Sequence, residues 1–340
     1  MEQIVHTLQR FVWGPGMLVF FLATGIRFTV QSGFFQFTKI PIWMGKTIGA
    51  LRKDREMRRS GDEHSISQFQ SFCTALAATL GTGNITGVAT ALVFGGPGSI
   101  FWLWVSAFLG MMTGYAENYL GIKYRYRNSE GKWIGGAMVY MERGLKCRPL
   151  AVVFALCCMG ASLGMGNMVQ GNSMAKGLEA AFHIPSFVTG TVCMILVAVV
   201  VTGGMKRIAA FTEKLVPVIS VAYLGGALIV LGTNLSMTAE AFGMIFREAF
   251  QLRAAAGGAT GYTMMQAVRM GIARGIFSNE AGLGSSVMAH AQADVKKPEI
   301  QGMWAMAEIF IDSVVVCTIT ALVILVSGVY EPSVFLEKIH

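Results

Sequence analysis

Two long stretches without a single charge limit what this chain can become. Residues 184–205 and 215–239 contain no Asp, Glu, Lys or Arg. Each is long enough to cross about 30 Å of hydrocarbon as a helix. In lipid every backbone N–H and C=O must be bonded within the protein, so such runs become spanning helices. The composition agrees: 54% of the 340 residues are hydrophobic and 14% charged, against about 25% charged in an ordinary soluble domain. The first apolar stretch, residues 11–37, carries Arg27 and internal glycines and lacks a small-residue cleavage pattern. It reads as a retained helix rather than a signal peptide. The fold class is an all-α, polytopic membrane protein.

The pattern predicts eight spans, over 12–35, 69–94, 99–124, 150–181, 186–203, 211–232, 260–291 and 302–329. The basic residues orient them. Lys39, Lys46, Arg52, Lys53, Arg55, Arg58 and Arg59 fall in one loop, and Lys123, Arg125, Arg127, Lys132, Arg143, Lys146 and Arg148 in another. The positive-inside rule places both loops in the cytoplasm, together with Lys206-Arg207 and the loop 294–298. Both chain ends then lie outside. The net charge of +8 is thereby explained without nucleic acid. Residues 40–51 suit either an interfacial amphipathic helix or a plain linker. Residues 237–253, with Phe242, Phe246, Phe250, Arg247 and Arg253, read as a helix on the outer surface. Cys73, Cys193 and Cys317 lie in apolar helices and Cys157-Cys158 is an adjacent pair, so the cysteines read as small packing residues with no metal or disulfide framework.

Two of the predicted spans are interrupted. The first carries Gly81-Thr82-Gly83-Asn84-Ile85-Thr86-Gly87, and the second Gly275-Ile276-Phe277-Ser278-Asn279-Glu280-Ala281-Gly282-Leu283-Gly284. Each glycine costs a helix interior roughly 1 kcal/mol against alanine. Interrupted spans in corresponding positions of two halves are the best sequence pointer to a transport site. Counting from Phe69, the breaks fall in the first and sixth spans, the phase of a five-helix unit followed by an inverted copy. The chain then divides into 1–68 (an extra span and a cytoplasmic loop), 69–232 (a first repeat) and 233–340 (part of a second). Helix N-termini at a break suit a carboxylate, and helix C-termini suit a cation or an ammonium group. Together they recognise a zwitterion. A third polar patch, residues 164–172, offers Asn167 and Gln170 on one helix face. Gly110 and Gly114, and Gly225 and Gly226, read as packing glycines. Among the charges inside spans, Glu117 either snorkels or pairs with a loop arginine. Arg269 and Arg274 either line a vestibule or pair with Glu280. Asp312 either pairs with Arg274 or assists a cation, and Glu308 shares its face. Glu213 and Lys214 read as a helix end.

These motifs resemble the alanine or glycine:cation symporter family. The likeness runs through Phe11-Val12-Trp13-Gly14-Pro15, residues 81–91, Gly95-Gly96-Pro97-Gly98 with Phe101-Trp102, residues 164–172, residues 203–208 and residues 274–285. The resemblance implies a leucine-transporter-type fold of two inverted five-helix repeats with one preceding helix, and Na⁺-coupled uptake of alanine or glycine. Departures from the family pattern are Thr86, Gly171 and Ala137, where Ala, Ser and Pro are usual. Against the family's eleven spans the chain shows eight, so the second repeat reads as incomplete, and with it the part of the sodium site that a later helix supplies.

The resulting expectation is a small neutral amino acid carried with Na⁺, or H⁺, across a bacterial-type inner membrane by alternating access, without an organic cofactor. Gly81, Thr82, Gly83 and Asn84 hold the substrate carboxylate, with Thr82 and Asn84 sharing the ion. Asn167 and Gln170 add side-chain contacts, and Gly275, Phe277, Ser278 and Asn279 meet the amino group and side chain. The alternative reading is a truncated, transport-incompetent form of such a symporter. An intramembrane enzyme or channel is disfavoured, because no Ser/His/Asp constellation or filter repeat occurs and His183 and His290 fall near opposite faces. Nothing in the sequence specifies an oligomeric state.

Overall fold

A computed structural model describes residues 12–250 and 260–330. Phe11, Arg253 and the remainder of 251–259, and residues 331–340, on which parts of the reading above fall, lie outside it.

The first helix, α1 (Pro15–Gln31), begins at a proline in the first turn, where a missing N–H costs nothing. The loop that follows folds back on α1. Gln36 donates to Thr29 Oγ1 at 2.9 Å, and Trp43 Nε1 donates to the Gln36 carbonyl at 3.2 Å. The helix Ile40–Lys46 buries Trp43 against Phe310 and leaves Ile40 and Ile42 exposed. This is the amphipathic segment, shorter than the predicted 40–51.

Helix α2 (Gln68–Thr79) starts with a capping box: Ser67 accepts from the Gln70 N–H while Gln70 accepts from the Ser67 N–H. It is joined through the first break to α3 (Val88–Gly95) at a bend of 51°. Helix α4 (Gly98–Tyr124) is the central element, packed on α1, α3 and most of the second half. A hairpin of β1 (Tyr126–Arg127) and β2 (Trp133–Ile134) follows. Helix α5 (Arg148–Ala161) continues through a π-helical segment, Ser162–Val169, into α6 (Gln170–Phe182). Then come α7 (Ser186–Val201), α8 (Gly204–Thr233), α9 (Leu235–Ala249), α10 (Thr260–Asn279) and α11 (Ser286–His290). Helix α12 (Pro298–Ile309) passes through another π-helical segment, Phe310–Val316, into α13 (Cys317–Val326).

The sequence predicts eight spans; among the described residues four helices are long and apolar enough to cross a membrane: Gly98–Tyr124, Arg148–Phe182, Gly204–Thr233 and Pro298–Val326. The bent pair α2–α3 makes a fifth when counted as one broken span. Helices α1 and α7 are apolar but shorter, and α10 is diluted by Gln266, Arg269 and Arg274. The predicted loop at Lys206-Arg207 is the first turns of α8, and the chain turns instead at Thr202-Gly203. Glu213 and Lys214 are accordingly inside α8, where Glu213 accepts from Gln70 Nε2 at 2.8 Å and ties α8 to α2.

Beyond the end of α4, Arg125 is the fastener. Its guanidinium donates to the carbonyls of Ala291, Ala293 and Val295 at 2.6–2.8 Å and lies over the Trp133 ring at 4.0 Å. Burial pushes it down to about 10, which still leaves it charged at neutral pH. Ile66 pairs with Ala293 in a one-residue bridge beside it.

Close packing on α4 depends on small residues, as read for Gly110 and Gly114. A Cβ on Gly114 would stand 2.6 Å from Ile309 Cδ1, and one on Gly98 2.5 Å from the Glu248 backbone carbonyl. Gly225 and Gly226 differ: nothing described lies within 4 Å of either Cβ position, so they are not packing glycines within these residues. Gly98→Val should therefore destabilise the protein by about 1–3 kcal/mol, because backbone cannot rotate away from an overpacked group. Gly225→Ala should be neutral or slightly stabilising. Thermal unfolding of the two variants in detergent checks the contrast, and equal effects would contradict it.

Candidate functional site

The first break begins where α2 runs out at Leu80, whose backbone is extended. The π-helical segment Gly83–Gly87 leads into α3. Two N–H groups freed by the break find side-chain oxygens. Gly81 N donates to Asn84 Oδ1 at 2.9 Å, and Thr82 N donates to Gln170 Oε1 at 3.1 Å. Gly81 has no room for a side chain, since a Cβ would sit 2.8 Å from Gln170 Oε1. The break therefore frees backbone N–H groups, and the amide oxygen of Gln170 sits against that of Thr82.

The other end of Asn84 carries the cluster that joins the two halves. Its amide nitrogen lies 2.7 Å from Asp312 Oδ1 and 3.1 Å from Ser278 Oγ. Asp312 Oδ2 accepts from Ser278 Oγ and from Ser313 Oγ, each at 2.8 Å. Asn279 Nδ2 donates to Ser313 Oγ at 3.1 Å. All five side chains are buried, Asp312 completely. A π-helical turn shifts the register of a helix by one residue and occurs often at functional sites; here it holds Asp312. Asp312 does not pair with Arg274, whose guanidinium lies 5.9 Å from the Phe277 ring centre.

The second break lies later than predicted. Helix α10 continues without interruption through Gly275, Phe277, Ser278 and Asn279, and the chain leaves it at Glu280. Gly275 is tolerated inside the helix because it packs directly on Ser106 and Leu103 of α4. The unwinding is set by Glu280, Gly282 and Gly284, with φ of 54°, 89° and 73°. Asn279 Oδ1 accepts from Ala281 N at 3.0 Å, and Glu117 Oε2 accepts from Gly282 N at 2.8 Å. Glu117 thus caps the second break rather than pairing with a loop arginine, and Glu280 bonds Ser285 rather than Arg269 or Arg274.

A cavity of about 560 Å³ adjoins the first break. Gly81, Thr82, Asn84 and Gln170 line it, opposite Ser220 and Tyr223 of α8. Gly275, Phe277, Ser278 and Asn279 do not; Phe277 packs edge-on to Trp13 instead, at 6.5 Å. Ser278 and Asn279 reach the site through Asn84 and Asp312. Gly83 is buried against Ser278, its Cβ position 3.2 Å from Ser278 Cα. Asn167 is exposed on its helix and donates to the Ser162 carbonyl at 2.9 Å, away from the cavity. Thr82 Oγ1 is buried with no hydrogen-bond partner. It is a free oxygen of the kind that suits Na⁺. Asn84 Oδ1 accepts from Gly81 N, and the Asp312 oxygens accept from Asn84, Ser278 and Ser313. Ser173, Ser220 and Tyr223 were not singled out in the sequence. The signal for them is spacing: Gln170 and Ser173, and Ser220 and Tyr223, each stand three apart on a helix face.

The model of the sodium:alanine symporter family matches residues 1–339. The sodium/alanine symporter AgcS of Methanococcus maripaludis is 44% identical over 329 residues, 96% of this chain and 70% of that protein. An uncharacterized transporter of Haemophilus influenzae is 42% identical over 332 residues, 97% of this chain and 71% of its own. The probable sodium/glutamine symporter GlnT of Bacillus subtilis is 37% identical over 331 residues, 97% of this chain and 67% of its own. With its apolar helices, this places the chain in the plasma membrane as a multi-pass transport protein and not an enzyme. The chain belongs to the sodium:alanine symporter family.

Proposed function

We propose that the protein carries a small neutral amino acid, alanine or glycine, into the cell together with Na⁺ by alternating access. The carrying observation is the position of the Gln170 amide oxygen, 3.1 Å from the N–H of Thr82 at an unwound helix. An oxygen acceptor at that N–H stands where a carboxylate oxygen of the substrate would bind. In this reading the substrate carboxylate displaces Gln170 from Thr82, and the Gln170 amide group turns to donate to it. Thr82 Oγ1 and the Asp312 carboxylate contribute oxygens to the ion, and Asn84 holds both in register. H⁺ replacing Na⁺ as the coupling ion is compatible with the same carboxylate.

The leucine-transporter-type architecture is part of the proposal. The bent pair α2–α3 and the break between α10 and α11 are read as the same element in two inverted repeats, within 69–232 and 233–340. What supports it is that Asn84 of the first meets Ser278 beside the second at 3.1 Å. The small substrate is supported by the likeness to the sodium/alanine symporter AgcS.

Asn84→Ala should lower sodium-stimulated uptake of radiolabelled alanine in proteoliposomes by tenfold or more. The substitution removes a hydrogen bond to a buried carboxylate, worth about 1.5–3 kcal/mol, and 1.4 kcal/mol is about tenfold. Wild-type uptake by this variant would refute the assignment. Thr82→Val keeps the shape of the side chain and removes its oxygen. It should raise the Na⁺ concentration needed for half-maximal uptake several-fold. An unchanged sodium dependence would remove Thr82 from the ion shell.

A further inference from the structure

Away from the cavity a second buried polar cluster joins α2, α11 and α12. Ser71, His290, Gln301 and Glu308 are each at most 1% exposed, and none of them lines the cavity. The hydrogen bonds define a direction. Ser71 Oγ donates to the Gln68 carbonyl at 3.0 Å and so accepts from Gln301 Nε2 at 2.8 Å. The second N–H of Gln301 faces Nδ1 of His290. Nδ1 is then an acceptor, and the ring hydrogen is on Nε2, 3.0 Å from Glu308 Oε2.

The cluster is short of donors. Glu308 Oε1 and Gln301 Oε1 are both buried with no hydrogen-bond partner. A buried carboxylate with one bare oxygen is costly, and a proton on it removes the charge and supplies a donor. The surroundings make the charge harder still to hold. Titratable groups on the elements packed against the cluster are Cys73 on α2, Tyr115, Glu117, Tyr119, Lys123 and Tyr124 on α4, Lys46 on Ile40–Lys46, Glu280, and Glu299 and Asp312 on the α12 segment. Glu117, Glu280 and Asp312 bring three more acids to these elements, of which Asp312 is fully buried. Among the described residues none of these four acids forms an ion pair with Lys or Arg; the partner of Glu308 is His290.

We propose that Ser71, His290, Gln301 and Glu308 form a proton-binding site separate from the substrate cavity, and that its occupancy sets the pH dependence of transport. One proton from the aqueous phase adds to the Glu308 carboxylate, which goes from charged to neutral while His290 stays neutral. Because α11 directly follows the second break and α2 directly precedes the first, the site touches the inner end of both interrupted spans. The transport half of the proposal rests on the symport reading; the protonation half does not.

Infrared difference spectra of the full chain in lipid, taken across a pH titration, test it. The wild type should show a protonated-carboxyl band that titrates, and Glu308→Gln should lose it. His290→Asn, which leaves the carboxyl in place, should shift the midpoint of that band. In proteoliposomes Glu308→Gln should flatten the pH profile of sodium-driven alanine uptake. Glu308→Gln spectra that superimpose on the wild type at every pH would overturn the site, as would a band that responds to Na⁺ at fixed pH and not to protons. Should Glu308→Gln fail to fold, an unmoved midpoint in His290→Asn overturns it equally. A wild type that takes up no alanine would sink the symport reading while leaving the spectra to decide the site.

Discussion

Backbone that unwinds inside a bilayer must be bonded by something other than water, and at the first break Asn84 and Gln170 supply the side-chain oxygens. The Asn84 oxygen accepts from Gly81 N, and its nitrogen reaches Asp312 and Ser278. One side chain therefore stabilises the first break and joins it to α10 and to the α12–α13 segment. Remove it, and a buried carboxylate and a buried N–H lose a partner together, each costing about 1–3 kcal/mol or more. The bend of 51° between α2 and α3 persists because these polar groups are satisfied away from lipid.

The same solution recurs at the second break with different chemistry. There the positive φ at Glu280, Gly282 and Gly284 turns the chain, and the carboxylate of Glu117 on the central helix accepts the freed N–H of Gly282. Helix α4 thus carries one capping group, while its glycines let α9 and α12 approach closely. Three π-helical segments, Gly83–Gly87, Ser162–Val169 and Phe310–Val316, fall at or beside the site. Two of them place residues that matter to it directly: Asn84 lies within the first and Asp312 within the third.

Much of this is legible in the amino-acid sequence. Uncharged runs identified the membrane class, and glycines with Asn84 located the first break. Gln170 was found from its spacing on an apolar helix. The rest was set by tertiary contacts that a local pattern does not encode. Gly275 looks like a helix breaker, yet packing against Ser106 keeps it helical, so the second break moved to Glu280. Asn167 shares a face with Gln170 by spacing, but π-helical geometry over Ser162–Val169 rotates it outward. Asp312 was visible as an intramembrane charge, and its partner was not, because Asn84 lies more than two hundred residues away in sequence. The Lys206-Arg207 pair reads as a loop by charge and is helix by hydrogen bonding.

The most direct measurement is a cryo-electron microscopy map of the protein in lipid with saturating Na⁺ and alanine. Density for the amino acid is expected in the cavity of about 560 Å³, its carboxylate on the Thr82 N–H and the Gln170 amide swung off that group. A bound amino acid elsewhere, with Gln170 still seated on Thr82, would contradict this placement.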